Sequence, residues 1–213
     1  MIITRIARQK RLKNSYSIYL DGSYAFSLSG ESIIRHRLKE GREVVQADVD
    51  GVFSEEEKRR ALEYAIKLFA IRSRSARELR QRLKEKEFSE SAISHAAGRL
   101  SDLGYLNDER FASDRANYLM AKGYGPELIR AELKRKGIAA DIITDVLARL
   151  RERPETEIDR VEEIARRKLK AMKDVEPAAA AHRLTGFLVR RGFSIDSIRH
   201  VLRELLNDDR DLY

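Results

Sequence analysis

The chain reads as mainly α: three tandem three-helix repeats in an elongated array, preceded by a small N-terminal β-hairpin or sheet region with a short helix. Three observations predict this. First, one apolar spacing occurs three times. Leu79, Leu83, Phe88, Ile93, Ala97 and Leu100 are matched 50 residues on by Ile129, Leu133, Ile138, Ile143, Leu147 and Leu150, and 55 further on by Leu184, Leu188, Phe193, Ile198, Leu202 and Leu205. Such a recurrence marks one helical unit repeated in tandem, and arrays of this kind bind long partners along a surface rather than small molecules in a pocket. Second, glycine and proline are scarce (11 and 3 of 213 residues) while charged residues reach 37%, a helix-rich and water-exposed composition. Third, alternation with period two is confined to residues 1–28.

Within that N-terminal stretch Tyr16, Ile18 and Leu20 alternate with polar residues, Asp21-Gly22 supplies a turn, and Tyr24, Phe26 and Leu28 alternate again. Pairing 20 with 24, 18 with 26 and 16 with 28 places all six on one face, which requires a three-residue loop in place of the commoner two-residue turn. Residues 2–9 are a candidate third strand. Ser29 caps a short helix running to about Leu38, broken by Gly41, and residues 44–53 lean to a brief helix.

From Ser54 the pattern is helical. Ser54 with Glu57 and Ser75 with Glu78 have capping-box spacing. Asn107, Ser89 and Ser194 are N-cap candidates, Pro126 follows Gly125 at a first helical position, and Pro154 and Pro177 mark starts or breaks. The chain divides into an N-terminal β-rich region (1–53) and repeats at 54–104, 105–152 and 153–213, the last with a longer loop around Lys173–Pro177 and an acidic C-terminal tail. At the centre of each repeat, helix two needs a left-handed residue to close it. Gly137 and Gly192 supply it, followed by Ile138 and Phe193 and preceded four residues earlier by Leu133 and Leu188, the spacing of a Schellman motif. Leu83 and Phe88 repeat the pattern around Glu87, where a non-glycine costs about 1 kcal/mol.

Composition excludes several chemistries. There is no cysteine, so disulfides, thiolate metal sites and cysteine nucleophiles are out. No apolar run approaches the roughly 20 residues that span a bilayer, and the N-terminus lacks the apolar core of a secretory signal; the expectation is a cytoplasmic protein without membrane contact. No phosphate-binding loop occurs, Gly123-Tyr124-Gly125-Pro126 follows no strand, and His36, His95, His182 and His200 lack metal-ligand spacing. No catalytic, cofactor or metal constellation emerges, and the expected cofactor set is none.

A formal net charge of +8 favours an anionic partner. Arg72, Arg74, Arg77 and Arg80 flank a helix start, where cations are unfavourable, and so point to a partner. Arginine also suits bidentate grip on phosphate or carboxylate. Lys86, Lys136 and Arg191 occupy one repeat column and Lys84 and Lys134 another, both in the last turn of helix two, where offsetting the helix dipole is an equally good reading. Arg130, opposite Arg80 in the repeat, and Arg190 complete the candidate binding set. A further cluster, Arg5, Arg8, Lys10, Arg11 and Lys13, accompanies the first strand and serves either edge protection or binding. Tyr105 and Tyr124, beside glycines in connections, are suited to base stacking or to packing between units.

Two stretches carry a family resemblance: Leu103-Gly104-Tyr105-Leu106-Asn107-Asp108-Glu109-Arg110-Phe111-Ala112, and Lys122-Gly123-Tyr124-Gly125-Pro126 followed by Ile129 to Ile138. With Arg72 to Leu79 before them, they resemble the bacterial RecX family of recombination regulators over roughly residues 55–206, most specifically in the middle repeat and least in the alanine-rich third. The resemblance implies a non-enzymatic modulator. Such a protein binds the RecA recombinase and its nucleoprotein filament, restrains ATP hydrolysis and strand exchange, and so acts on recombinational repair and the SOS response. It implies a chain that is monomeric when free. Direct contact with DNA stays open, as does a second reading, a sequence-tolerant DNA-binding module of helix-turn-helix-like units. A nucleic-acid enzyme would need clustered metal-binding carboxylates, which the sequence does not offer.

Overall fold

The computed structural model describes residues 1–9, 14–152, 155–172 and 175–208. Lys10, Arg11, Lys13, Pro154 and most of the acidic tail lie outside these residues, as do Lys173 and Asp174 of the third-repeat loop. Contacts divide the chain into two compact units: Met1–Arg74 with Leu79–Leu106, and Ser75–Glu78 with the chain from Asn107 onward.

In the first unit, β1 (Ile3–Arg8), β2 (Ser15–Leu20) and β3 (Ser23–Ser29) form an antiparallel sheet in the order β1-β2-β3. Ile3, Ile18, Leu20, Phe26 and Leu28 are buried with Val44 and Val52, so the sheet's inner face is covered by the start of α2 (Gln46–Ile71). Tyr16 faces Leu28 and Ile18 faces Phe26, as the alternation predicts, but Leu20 faces Ser23 and Tyr19 faces Tyr24. The expected three-residue loop is therefore replaced by a two-residue turn. Asp21 (φ 47°) and Gly22 (φ 85°) both adopt left-handed geometry, which matches the strand twist, and the surplus residue is absorbed as a bulge at Ala25. Tyr24 consequently leaves the buried face. It is 58% exposed, its ring edge-on to Tyr19 at 6.0 Å.

Ser29 caps α1 (Gly30–Arg35) by accepting from the Ser32 amide, and the helix stops short of Leu38 because Arg37 turns left-handed (φ 50°). The brief helix expected at 44–53 is instead the opening of α2, which runs unbroken through Ser54. No cap exists there, because no proline or left-handed residue interrupts the helix. Glu57, freed from that role, accepts from the Ser89 amide (2.9 Å) and hydroxyl (2.5 Å) at the start of α4 (Glu90–Asp102). A buried carboxylate, Glu56 (5% exposed), ties α1 to α2 by accepting from Ser32 Oγ (2.5 Å), Ser29 Oγ (3.4 Å) and Arg59 Nε (3.1 Å). Burial pushes its pKa up, but the hydrogen bonds from Arg59, Ser32 and Ser29 and the Arg59 charge outweigh this and hold it below the ordinary value.

The remaining helices are α3 (Ala76–Lys84), α5 (Asp108–Ala121), α6 (Pro126–Arg135), α7 (Ala140–Arg151), α8 (Glu157–Lys170), α9 (Pro177–Arg190) and α10 (Ile195–Asp208). Asn107, Ser89 and Ser194 cap as expected, and Pro126 and Pro177 sit at first helical positions. Of the repeated apolar set only Phe88 and Leu205 are not fully buried. Each helix two closes alike. Gly137 (φ 77°), Gly192 (φ 83°) and Glu87 (φ 60°) are left-handed, and the next amide donates to the carbonyl five residues back: Ile138 to Leu133 (3.1 Å), Phe193 to Leu188 (3.3 Å), Phe88 to Leu83 (3.3 Å).

Candidate partner and nucleic-acid interface

The arginines at the start of α3 do not form one free surface. Arg74 is 8% exposed and its Nε donates to the Leu68 carbonyl (3.3 Å), so it anchors the end of α2 rather than facing a partner. The stem of Arg77 lies over Gly137, whose added Cβ would come within 2.2 Å of Arg77 Cδ. Ser75, which caps α3 through the Glu78 amide (3.2 Å), also donates its hydroxyl to the Lys136 carbonyl (2.7 Å), and Asp108 Oδ1 accepts from the Ala76 amide (2.9 Å). Of the four arginines, Arg77 thus lies against the carbonyl-bearing end of α6, where the dipole suits a cation. Arg72 and Arg80 remain exposed.

The column Lys86, Lys136, Arg191 is likewise mostly turned inward. Lys136 Nζ pairs with Glu78 at 2.6 Å, the two side chains 17% and 19% exposed. Arg191 Nη1 donates to the carbonyls of Lys122 and Gly123, both at 3.0 Å. Lys86 stays exposed, 5.9 Å over the Tyr64 ring. Among the other candidates, Lys84 pairs with Glu90 (2.7 Å) and Arg130 with Glu127 (3.6 Å), both in solvent-exposed geometry worth little to stability. Lys134 and Arg190 are exposed.

Sequence reading missed a second arrangement, in the second unit. Lys168 lies 5.3 Å and Arg191 4.8 Å from the Phe187 ring centre, Arg191 also covers Tyr124 (5.4 Å), and Lys122 (4.8 Å) and Arg115 (5.4 Å) cover Tyr118. A hydrogen bond from Lys122 and its charge lower the Tyr118 pKa and raise that of Lys122. Arg115 is already paired with Glu132 (2.8 Å). The i, i+4 spacing of Tyr118 and Lys122 was readable in the sequence, whereas Lys168 and Phe187 meet only through folding. Tyr124, one of the two connection tyrosines, is part of this strip; Tyr105 stands 64% exposed, outside it.

Among the described residues no group of histidine and carboxylate side chains could hold a metal, and no helix is long and apolar enough to cross a membrane. His36 pairs with Glu55 (3.0 Å) at the rim of a cavity of about 260 Å³ in the N-terminal region, whose floor is Ile3, Ile18, Phe26 and Val44.

Fold and surface together define a class: a protein whose chain runs from a three-stranded sheet into three tandem three-helix units, presenting basic side chains. Comparison with known proteins specifies it further. Residues 1–45 match the regulatory protein RecX N-terminal domain, and residues 61–100, 107–147 and 155–202 match the first, second and third RecX three-helix domains. The chain is 32% identical to the regulatory protein RecX of Bacillus velezensis, over 97% of this chain and 79% of that protein. It is 31% identical to that of Bacillus subtilis, over 95% and 76%. A crystal structure of regulatory protein RecX superposes with a TM-score of 0.69 at 23% identity, covering 94% of this chain and 98% of that one. RecX from Lactobacillus salivarius gives 0.63 at 22%, covering 71% and 97%. The chain belongs to the RecX family, a family of regulatory proteins rather than enzymes.

Proposed function

We propose that the chain binds the RecA recombinase and the RecA–DNA filament and inhibits ATP hydrolysis and strand exchange, thereby modulating recombinational DNA repair and the SOS response. It does so as a cytoplasmic protein, monomeric when free. The observation that carries this reading is membership of the RecX family through all four of its domains. The contacts are assigned to exposed or half-exposed cations: Arg72, Arg77, Arg80, Lys84, Lys86, Arg130, Lys134 and Arg190. Several modest contacts repeated along a filament gain strength by effective concentration. The test is co-sedimentation with RecA filaments on single-stranded DNA. The chain should pellet with the filament, and replacing Arg80, Lys84, Lys134 and Arg190 by Gln should release it without lowering its melting temperature. Equal pelleting of wild type and variant would remove these residues from the interface. The cation-bearing rings favour one further reading, direct DNA binding, which predicts tight association with bare DNA.

A further inference from the structure

We infer that the ring-mounted cations Lys122, Lys168 and Arg191 form a preorganised grip for the phosphate backbone of a nucleic-acid strand, one that leaves the bases unstacked from the protein. The inference deepens the filament reading, since a RecA filament carries DNA, but its test needs no RecA.

Three observations carry it. First, these cations are uncompensated. Many basic side chains of the chain are matched by a carboxylate on the same helix, as in Arg130–Glu127, Arg135–Glu132, Arg166–Glu162 and Arg167–Glu163. Lys122 and Lys168 are exposed and make no ion pair among the described residues, and Arg191 Nη1 donates to two neutral carbonyls rather than to a carboxylate. Second, they are contiguous. Phe187 carries both Lys168 and Arg191, Arg191 reaches across Tyr124 to the Lys122 carbonyl, and Lys122 lies over Tyr118. Third, each is oriented. A cation held over a ring is confined to few rotamers, so part of the ordering entropy of binding is already spent.

The same geometry selects the ligand. Rings that could stack on bases already carry cations over their faces, so the strip offers charge without a stacking platform. The apolar cavity of the N-terminal region, the kind of feature that anchors a protein partner, is lined by none of these residues. What remains is recognition of regularly spaced negative charge, which is the nucleic-acid backbone. A strand held this way keeps its bases available to the recombinase.

The experiment is fluorescence anisotropy of the full chain with a labelled oligothymidylate across a salt series. Wild type should bind, with log affinity falling linearly with log salt. Lys122→Gln with Lys168→Gln should weaken binding and reduce the slope by about 1.4, at roughly 0.7 per single-strand phosphate released. Tyr118→Leu, at a 49% exposed position, keeps every charge and should weaken binding roughly threefold with the slope unchanged. A 2-aminopurine reporter in the strand should keep its fluorescence on binding. An unchanged slope in the double lysine variant, or no binding by wild type at low salt, overturns the assignment whatever the result with RecA. Strong quenching of 2-aminopurine overturns the backbone-only mode. Loss of RecA binding by the lysine variant with unaltered DNA affinity identifies the strip as a protein contact instead.

Discussion

Two junctions inside the second unit occupy the same place in the repeat and are built from different chemistry. Where the start of α3 meets the end of α6, side chains span the gap: Ser75 to the Lys136 carbonyl, Lys136 to Glu78, and Asp108 to the Ala76 amide. Where the start of α6 meets the end of α9, backbone touches backbone. The Gly125 amide donates to the Arg191 carbonyl (2.8 Å) and the Glu127 amide to the Gly192 carbonyl (3.0 Å). Gly125 stands at the position of Ser75, and a Cβ on it would fall 2.3 Å from the Gly192 carbonyl oxygen. A glycine pair thus permits an approach that a serine must bridge, and one repeat geometry can be held either by dipoles of the main chain or by a charge pair. The backbone junction should be insensitive to salt and intolerant of any side chain. The side-chain junction should be the reverse.

The largest effect should come from Gly125→Ala. Neither backbone can yield, so the cost is about 3 kcal/mol, a fall in melting temperature of roughly 6–12 °C for a chain of this size. A stability equal to wild type would mean the junction opens without loss. Next is a site away from both junctions. Because Glu56 has a folded pKa below its unfolded one near 4.3, its contribution is present above about pH 4.3 and lost as pH falls through the lower folded value. Urea titrations at about pH 6 and pH 3.5 should show a smaller acid loss for Glu56→Gln than for wild type, whereas the two junctions contribute the same difference to both proteins. Lys136→Met should cost about 1 kcal/mol, less in high salt, because it removes a part-buried pair while leaving the Ser75 bond to the main chain. Gly125→Ala, by contrast, should cost the same at every salt concentration. The smallest effect is a gain. Glu87→Gly relieves a left-handed non-glycine residue and should stabilise the first unit by about 0.5 kcal/mol, the relief being partly offset by glycine's greater unfolded freedom.

What could be read from the sequence follows from the range of the interactions. The caps at Ser75, Ser89, Asn107 and Ser194 and the three left-handed closures depend on residues within five positions of one another, and they stand as the spacing predicts. The hairpin loop was misjudged because alternation alone does not reveal a bulge; the Asp21-Gly22 pair was the better signal and pointed to a two-residue turn. Ser54 has the same local pattern as Ser75, yet only Ser75 caps, because the continuation of α2 is decided by packing on the sheet. Arg77 looked misplaced only so long as the end of α6, some sixty residues away, was out of view, while Arg74 turned back to the Leu68 carbonyl at the end of α2. Phe187 and Arg191, four residues apart at the end of α9, carried the same local signal as Tyr118 and Lys122; Lys168 carried none, since its meeting with Phe187 depends on how α8 and α9 pack.

The most direct measurement is the steady-state rate of ATP hydrolysis by RecA on single-stranded DNA, titrated with the purified chain. Hydrolysis should fall progressively and level off at a reduced rate as the chain saturates the filament. Turnover that stays constant at saturating protein, with the chain folded and the DNA fully covered by RecA, would contradict the central claim.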